Sequence, residues 1–177
     1  MVAYSITPLM GIDPSATSSL AVGSSTVYSP EYTLGARAKL SDTGEAIYIK
    51  ATSAITAGDV LLISAAGAGV PITTALSDKG GTTPHQVIAV ANTTLASGQH
   101  GWACTGGTPL AGISVLASCV RGSPLYTTTT AGALDDTETS AHLVNNVYIT
   151  TTATGAAVTA GFLPGAPALV SGVVNNT

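Results

Sequence analysis

Hydrophobic positions in this chain come in short runs, and where they alternate the period is 2. Glu45-Ala46-Ile47-Tyr48-Ile49-Lys50 puts Ile47 and Ile49 on one face of a predicted strand, with Tyr48 and Lys50 on the other. Ala57-Gly58-Asp59 then turns the chain into Val60-Leu61-Leu62-Ile63, the strongest run, apolar on both faces. Gly67-Ala68-Gly69 turns it again before Val70-Pro71-Ile72. Further strands are predicted over 86–91, 101–105, 113–120, 125–128, 144–152, 156–162 and 168–173. Residues 77–84 and 130–140 read as loops, with an inward fold open to Leu134, and 77–84 and 134–140 are the stretches expected to face water. Twenty glycines and nine prolines break the runs too often for long helices. The pattern predicts an all-β fold: one β-barrel or β-sandwich, jelly-roll-like, of about nine short strands over residues 34–177. No internal repeat of fixed period is evident, so a β-helix is the weaker reading.

Residues 1–33 follow no such period. They carry two charges (Asp13 and Glu31), three prolines and many serines and threonines, with one short strand near 25–28. This predicts an extended N-terminal arm whose apolar residues anchor it on a neighbour. The expected partner-binding residues are Tyr4, Leu9, Met10, Ile12, Leu20, Val27, Tyr28 and Tyr32.

Charge changes the picture most. Only 8% of the 177 residues are Asp, Glu, Lys or Arg, against about 25% in an ordinary soluble domain. A compact monomer of 17.3 kDa would expose roughly 7,800 Å², leaving most of that area to Ala, Thr, Ser, Gly and Val. Such a surface resists association poorly, which predicts a subunit of something larger. The deficit is greatest in residues 1–33 and after Glu138, beyond which no charged side chain occurs. Those are the two segments expected to be covered by partners.

The net charge of −4 is set by nine acidic and five basic residues. Arg37, Lys39, Lys50, Lys79 and Arg121 are too few and too scattered to hold a phosphate backbone, so direct nucleic-acid binding is not expected. A mean hydropathy of +0.44 raises the question of a membrane. No apolar run approaches the roughly 18 residues of a spanning helix, and no basic stretch followed by an apolar one opens the chain as a secretory signal would. Asn92-Thr93-Thr94 is then a glycosylation acceptor in spelling alone. Cys104 and Cys119 are expected as buried thiols and not as a bridge, which suits a reducing compartment.

Candidate chemistry is thin. Asp135, Asp136 and Glu138 form an acidic cluster, but lack the spacing of a twelve-residue calcium loop and read as a solvated turn. His100, Trp102 and Cys104 alternate, so a strand points all three the same way. Same-strand neighbours lie roughly 7 Å apart, with no orienting carboxylate nearby, so a packed Trp beside a polar neighbour is expected instead of a Cys/His nucleophile pair. His85 and His142 stand alone in loops, without zinc spacing. Gly67-Ala68-Gly69 lacks the third glycine and the helix of a dinucleotide fingerprint, and no nucleophile elbow or phosphate loop occurs. The expectation is no catalytic residue, no metal, no cofactor, and no enzyme.

Three segments in succession resemble a family of small structural proteins encoded in the head-gene region of tailed bacteriophages. LGARAKLSDTGEAIYIKATSAITAGDVLL (34–62) is similar to an opening of the form LG-x-R … DG-x-E-x-x-Y-V-x-A-x-x-A-I-x-x-x-D. GQHGWACTG (98–106) resembles a strand of the form x-YGW-x-x-x-x-G, with His100 in the usual Tyr position. SCVRGSPLYTTTTAGALDDTETS (118–140) is close to SC-x-x-x-x-x-LYTT-x-TAG-x-LDD-x-x-TS. The resemblance covers residues 34–162. It implies a β-barrel or β-sandwich that decorates or cements the capsid, commonly as a trimer at threefold positions. The implied partners are the major capsid protein and further copies of the chain, with no nucleic acid and no membrane. The implied location is the capsid surface of the virion. Two other readings compete: a tail-fibre or receptor-binding module, whose repeated shaft or aromatic binding surface is not evident, and a minor coat subunit, which needs long helices that this chain does not supply.

Overall fold

The computed structural model describes residues 12–18, 20–22, 25–27, 30–40, 44–77, 85–137 and 142–170. In chain order the strands are β1 (Thr17–Ser18), β2 (Leu20–Val22), β3 (Ser25–Val27), β4 (Arg37–Lys39), β5 (Glu45–Ala51), β6 (Val60–Ser64) and β7 (Ala68–Pro71). A one-turn helix, α1 (Thr74–Ser77), precedes β8 (His85–Ala91), β9 (His100–Gly106), β10 (Ile113–Val115), β11 (Leu125–Thr127) and β12 (Leu134–Asp135). The chain continues through β13 (Leu143–Asn145), β14 (Tyr148–Ile149), β15 (Ala157–Thr159), β16 (Gly161–Phe162) and β17 (Ala168–Val170). The fold is all-β, as the pattern predicts.

Five of these strands close on themselves. β9, β8, β6, β7 and β5 are neighbours in that order, and β5 pairs again with β9. Closure removes the sheet edges at which a barrel strand could be attacked. A barrel of so few strands has a narrow lumen, and the alternation in β5 fills it: Ile47 and Ile49 point in. Large residues face small ones across the register, with Leu61 opposite Ala89 and Ile47 opposite Ala103. Where Ile49 meets Gly69 and Leu95 meets Gly101 there is no room for a side chain at all. A Cβ on either glycine would lie 2.8 Å or 2.7 Å from its neighbour's methyl carbon.

A second sheet of six strands, ordered β15-β10-β12-β11-β13-β17, covers one outer flank of the barrel. Val60, Leu62, Ile88, Val90 and Cys104 point outward into this second core, against Ile113, Val115, Leu125, Leu134 and Val144. This is why Val60-Leu61-Leu62-Ile63 is apolar on both faces: Leu61 and Ile63 fill the lumen while Val60 and Leu62 fill the layer between the sheets. Barrel and sandwich packing are therefore both present, sharing β6 and β8.

The end of the barrel holds a repeat that the spelling of the chain conceals. Residues 51–59 (ATSAITAGD) and 91–99 (ANTTLASGQ) follow the same path and cross each other about a local pseudo-twofold. Ile55 and Leu95 exchange both backbone hydrogen bonds at 2.9 Å. The Gly58 N–H donates to Ala91 O (2.9 Å), and the Gly98 N–H to Ala51 O (2.7 Å). Both glycines hold left-handed backbone, φ +90° and +86°, at the turn that re-enters the barrel wall. Ile55 and Leu95, each 1% exposed, plug the lumen. The unit is duplicated once and not arrayed, and Ala and Gly are the only identities between its copies; that is why a search for a fixed period misses it.

Within the pair, the Asp59 Oδ2 accepts the Thr56 N–H at 2.7 Å, and in the other copy Gln99 Oε1 accepts the Ala96 N–H at 2.9 Å. An amide therefore does the same work as the carboxylate. Burial raises the Asp59 carboxyl above its ordinary value, against the opposing Thr56 hydrogen bond. A raised carboxyl favours the folded state when protonated, so its contribution falls as pH rises through the carboxylate range. Asp59→Asn is expected to be more stable than the parent chain at neutral pH, with the gain vanishing in acid where the parent is also uncharged. Urea midpoints at both pH values measure this; a less stable variant at neutral pH would mean that the charge has a partner.

The structure refines several predicted strands. Residues 113–120 do not form one strand: β10 ends at Val115, and Ser118 takes left-handed backbone (φ 69°). Residues 144–152 are split by Asn146 (φ 60°) into the end of β13 and β14. Residues 156–162 divide into β15 and β16, β4 and α1 are additional elements, and Cys104 lies opposite Val90 and Ala46.

Candidate interaction surfaces

The outer face of β5 and β9 away from the second sheet carries Ala46, Tyr48 and Trp102, all buried. The cover comes from the chain's own N-terminal residues. β1 pairs antiparallel with β9, Thr17 opposite Gly101 and Ser18 opposite His100. The Tyr48 hydroxyl gathers both segments: it lies 2.9 Å from Ser18 Oγ and accepts the Glu31 N–H at 3.0 Å. Tyr32 sets its ring edge against Tyr48 and Trp102, each at a centroid distance of 5.2 Å. Ile12, Leu34 and Ala36 complete the cover.

Two of the eight predicted anchors, Ile12 and Tyr32, thus sit on the chain's own barrel, Tyr32 with 40% of its surface still exposed. Leu20 and Val27 are cross-strand partners in the β2–β3 pair, and their side chains lie outside the described residues. Tyr4, Leu9, Met10 and Tyr28 also lie outside them. The expected boundary between 33 and 34 runs through this packed contact. The informative residue was Tyr48: alternation placed it on the polar-looking face with Lys50, yet it is buried while Lys50 is exposed.

His100, Trp102 and Cys104 do point the same way, outward from the lumen, but into different layers. Cys104 joins the core under the second sheet, and Trp102 lies under the N-terminal cover. His100 stacks along the Tyr48 ring, centroids 6.1 Å apart and planes 15° apart. It is 3% exposed, and its Nδ1 has no hydrogen-bond partner.

The acidic cluster is not a solvated turn. The Asp135 Oδ1 accepts the Cys119 thiol (3.4 Å) and the Asp136 N–H (2.9 Å), and Asp136 Oδ2 accepts the Val120 N–H at 2.8 Å. The two carboxylates, both partly buried, lock the 119–121 loop onto β12; Glu138 lies outside the described residues. One ligand atom each from Cys119, Asp135 and Asp136 falls within 4.8 Å of the others. Each carboxylate already has one oxygen occupied by this turn. Burial first, then the thiol's own hydrogen bond to Asp135, pushes Cys119 up to about 11. In the folded protein Cys119 is expected to resist iodoacetamide at neutral pH, since the thiolate is the nucleophile. Mass spectrometry after alkylation with and without denaturant checks this; rapid folded-state labelling at Cys119 would overturn it.

His142 does not stand alone either. Its Nδ1 lies 2.8 Å from Ser77 Oγ, and its N–H donates to Thr127 Oγ1 at 3.1 Å, tying α1 to β11.

The stretch without charge after Glu138 supplies an unusual surface. Tyr148 and Phe162 are cross-strand partners in the β14–β16 pair, so both rings share one face, and each is 43% exposed. Val158 is 44% exposed on β15. Shallow cavities flank the two rings, one of about 150 Å³ bounded by Tyr148, Asn145 and Asn146, the other of about 220 Å³ bounded by Phe162, Pro164 and Lys39. By contrast the ion pairs of the described residues are peripheral: Arg37 and Lys39 reach Glu45 at 3.5 Å and 4.0 Å, an exposed arrangement worth little. Among the described residues no helix is long and apolar enough to cross a membrane.

Comparison of the chain with protein-family models, with curated proteins and with solved structures yields no match.

Proposed function

We propose that this protein is a virion structural subunit of the capsid-decoration or cement type, binding the outside of a tailed-phage head and stabilising the junctions between capsomers as an oligomer, with three copies the expected number. The observation that carries the reading is the exposed aromatic pair of Tyr148 and Phe162, which share one face of the β14–β16 ladder, on strands drawn from a segment that itself has no charged residue. Apolar area of this kind, rimmed by Asn145 and Asn146, suits a permanent contact with another protein surface. Several copies joined together would hold a capsid lattice more tightly than one, without any new type of contact. The resemblance of residues 34–162 to phage head-region proteins supports the major capsid protein as the partner and the bacterial cytoplasm as the site of assembly.

The test is co-sedimentation of the full chain with phage heads that lack it. Binding of the parent chain and its loss in Tyr148→Ser/Phe162→Ser, with the fold intact by circular dichroism, is the expected result. A monodisperse monomer with no affinity for heads would overturn the proposal. Electron microscopy of the particle separates it from the alternative, a tail-fibre or receptor-binding module, by showing density on the head surface or at the tail tip.

A further inference from the structure

One buried ring beneath the N-terminal segments, His100, has a nitrogen, Nδ1, without a hydrogen-bond partner. His100 opens β9, where β1 joins the barrel sheet. On one side its strand neighbour is Ser18; on the other it is Lys50 of β5. Its ring lies flat along Tyr48, and Nδ1 meets no donor or acceptor. We propose that His100 is an acid-operated latch: uncharged, it lets residues 12–18 and 30–33 lie on the barrel, and protonated, it lifts them off. This is a property of the single chain and does not depend on the capsid reading.

The reasoning is electrostatic. An imidazolium at this position would be a buried cation with no counter-ion among the described residues, which is costly. Among the described residues, the elements packed against it bring few charges. β5 presents Tyr48 and the Lys50 ammonium, a like charge. β1 presents Thr17 and Ser18, neither charged. The segment 30–33 brings Glu31 and Tyr32, and the turn before β1 brings Asp13. Glu31 and Asp13 are both exposed, and Asp13 is engaged by the Ser15 amide and hydroxyl. Burial first, and Lys50 second, hold His100 below its ordinary value of 6.5. A lowered histidine favours the docked state only while neutral. That preference is complete above the ordinary value and is lost as pH falls from there to the depressed one, by up to about tenfold per pH unit. The cheapest relief is local. Among the described residues β1 pairs with β9 through Thr17 and Ser18, and Tyr48 holds both segments through a single hydroxyl. The barrel behind them is closed.

Hydrogen exchange of the full chain between about pH 4.5 and pH 8 reads this directly. The Glu31 amide, which donates to Tyr48, reports the latch, and the Ile55 and Leu95 amides report the barrel. After correction for intrinsic exchange, protection of Glu31 is expected to fall up to about tenfold per pH unit below roughly 6.5, while Ile55 and Leu95 keep theirs. His100→Phe retains a flat ring and should abolish the pH response. Lys50→Gln, at an exposed side chain, removes the like charge and should move the response to higher pH. Constant protection of Glu31 in the parent chain, an unchanged response in His100→Phe, or simultaneous loss at Ile55 and Leu95 would overturn the proposal. If His100→Phe does not fold, an unmoved midpoint in Lys50→Gln overturns it equally.

Discussion

Leu61→Ala and Leu62→Ala are each expected to destabilise the protein by about 3 to 5 kcal/mol, the range for emptying a fully buried leucine site. Adjacent strand residues rarely both cost so much, because one usually faces water and its loss changes stability by about 0.5 kcal/mol or less. Here both are 0% exposed for different reasons. Leu61 stands in the barrel lumen between its cross-strand partners Ala89 and Pro71, both small, and the wall is closed, so little of it can collapse into the void. Leu62 lies between Ile88 and Val70 and meets the second sheet. Urea unfolding of the two single variants measures the effect. A cost below about 1 kcal/mol at Leu62 would mean that the second sheet does not pack on the barrel. The double variant, at roughly 7 kcal/mol, would consume most of the 5 to 15 kcal/mol that keeps a domain folded.

The second large effect is expected at a glycine. Gly112 holds φ +86° at the entry to β10, and a Cβ there would run into the backbone carbonyl oxygen of Thr159. That carbonyl cannot rotate away, because β15 is tied to β10 through Ile113 opposite Thr159. Gly112→Ala therefore combines left-handed strain, about 1 to 2 kcal/mol, with a clash that only strand separation relieves, for a total above about 3 kcal/mol. Gly122 is the matched control. Its φ is +78° and nothing lies within 4 Å of its missing Cβ, so Gly122→Ala should cost the strain alone. Thermal denaturation of the pair separates conformation from contact; equal losses would show that the Thr159 contact has no weight.

Much of the fold was legible because a barrel wall is written in period 2. The alternation of residues 45–50, the doubly apolar run at 60–63 and the strand at 101–105 each map onto a wall strand, with Ile47 and Ile49 sharing one face as expected. Leu134 opens the 134–140 stretch expected to face water and is instead fully buried, because β12 pairs with both β10 and β11. Strand ends were less legible, since Ser118 and Asn146 take left-handed backbone with no glycine to announce it. The acidic cluster was misread because its role depends on Val120, Cys119 and their backbone, which lie in a different segment of the chain.

Local pattern by itself determined the class of fold, the poverty of charge and where that poverty is concentrated. Those depend on residue type and spacing, which a linear chain displays in full. Closure of five strands into a barrel, the crossing of 51–59 with 91–99 and the return of Ile12 and Tyr32 to Tyr48 and Trp102 were decided in three dimensions. Each joins residues far apart in the chain, and a tyrosine on an alternating strand looks the same whether water or another segment covers it. His100 belongs to the second group: its neighbours in sequence are unremarkable, and only the stack on Tyr48 with Lys50 opposite makes it a buried base without a partner.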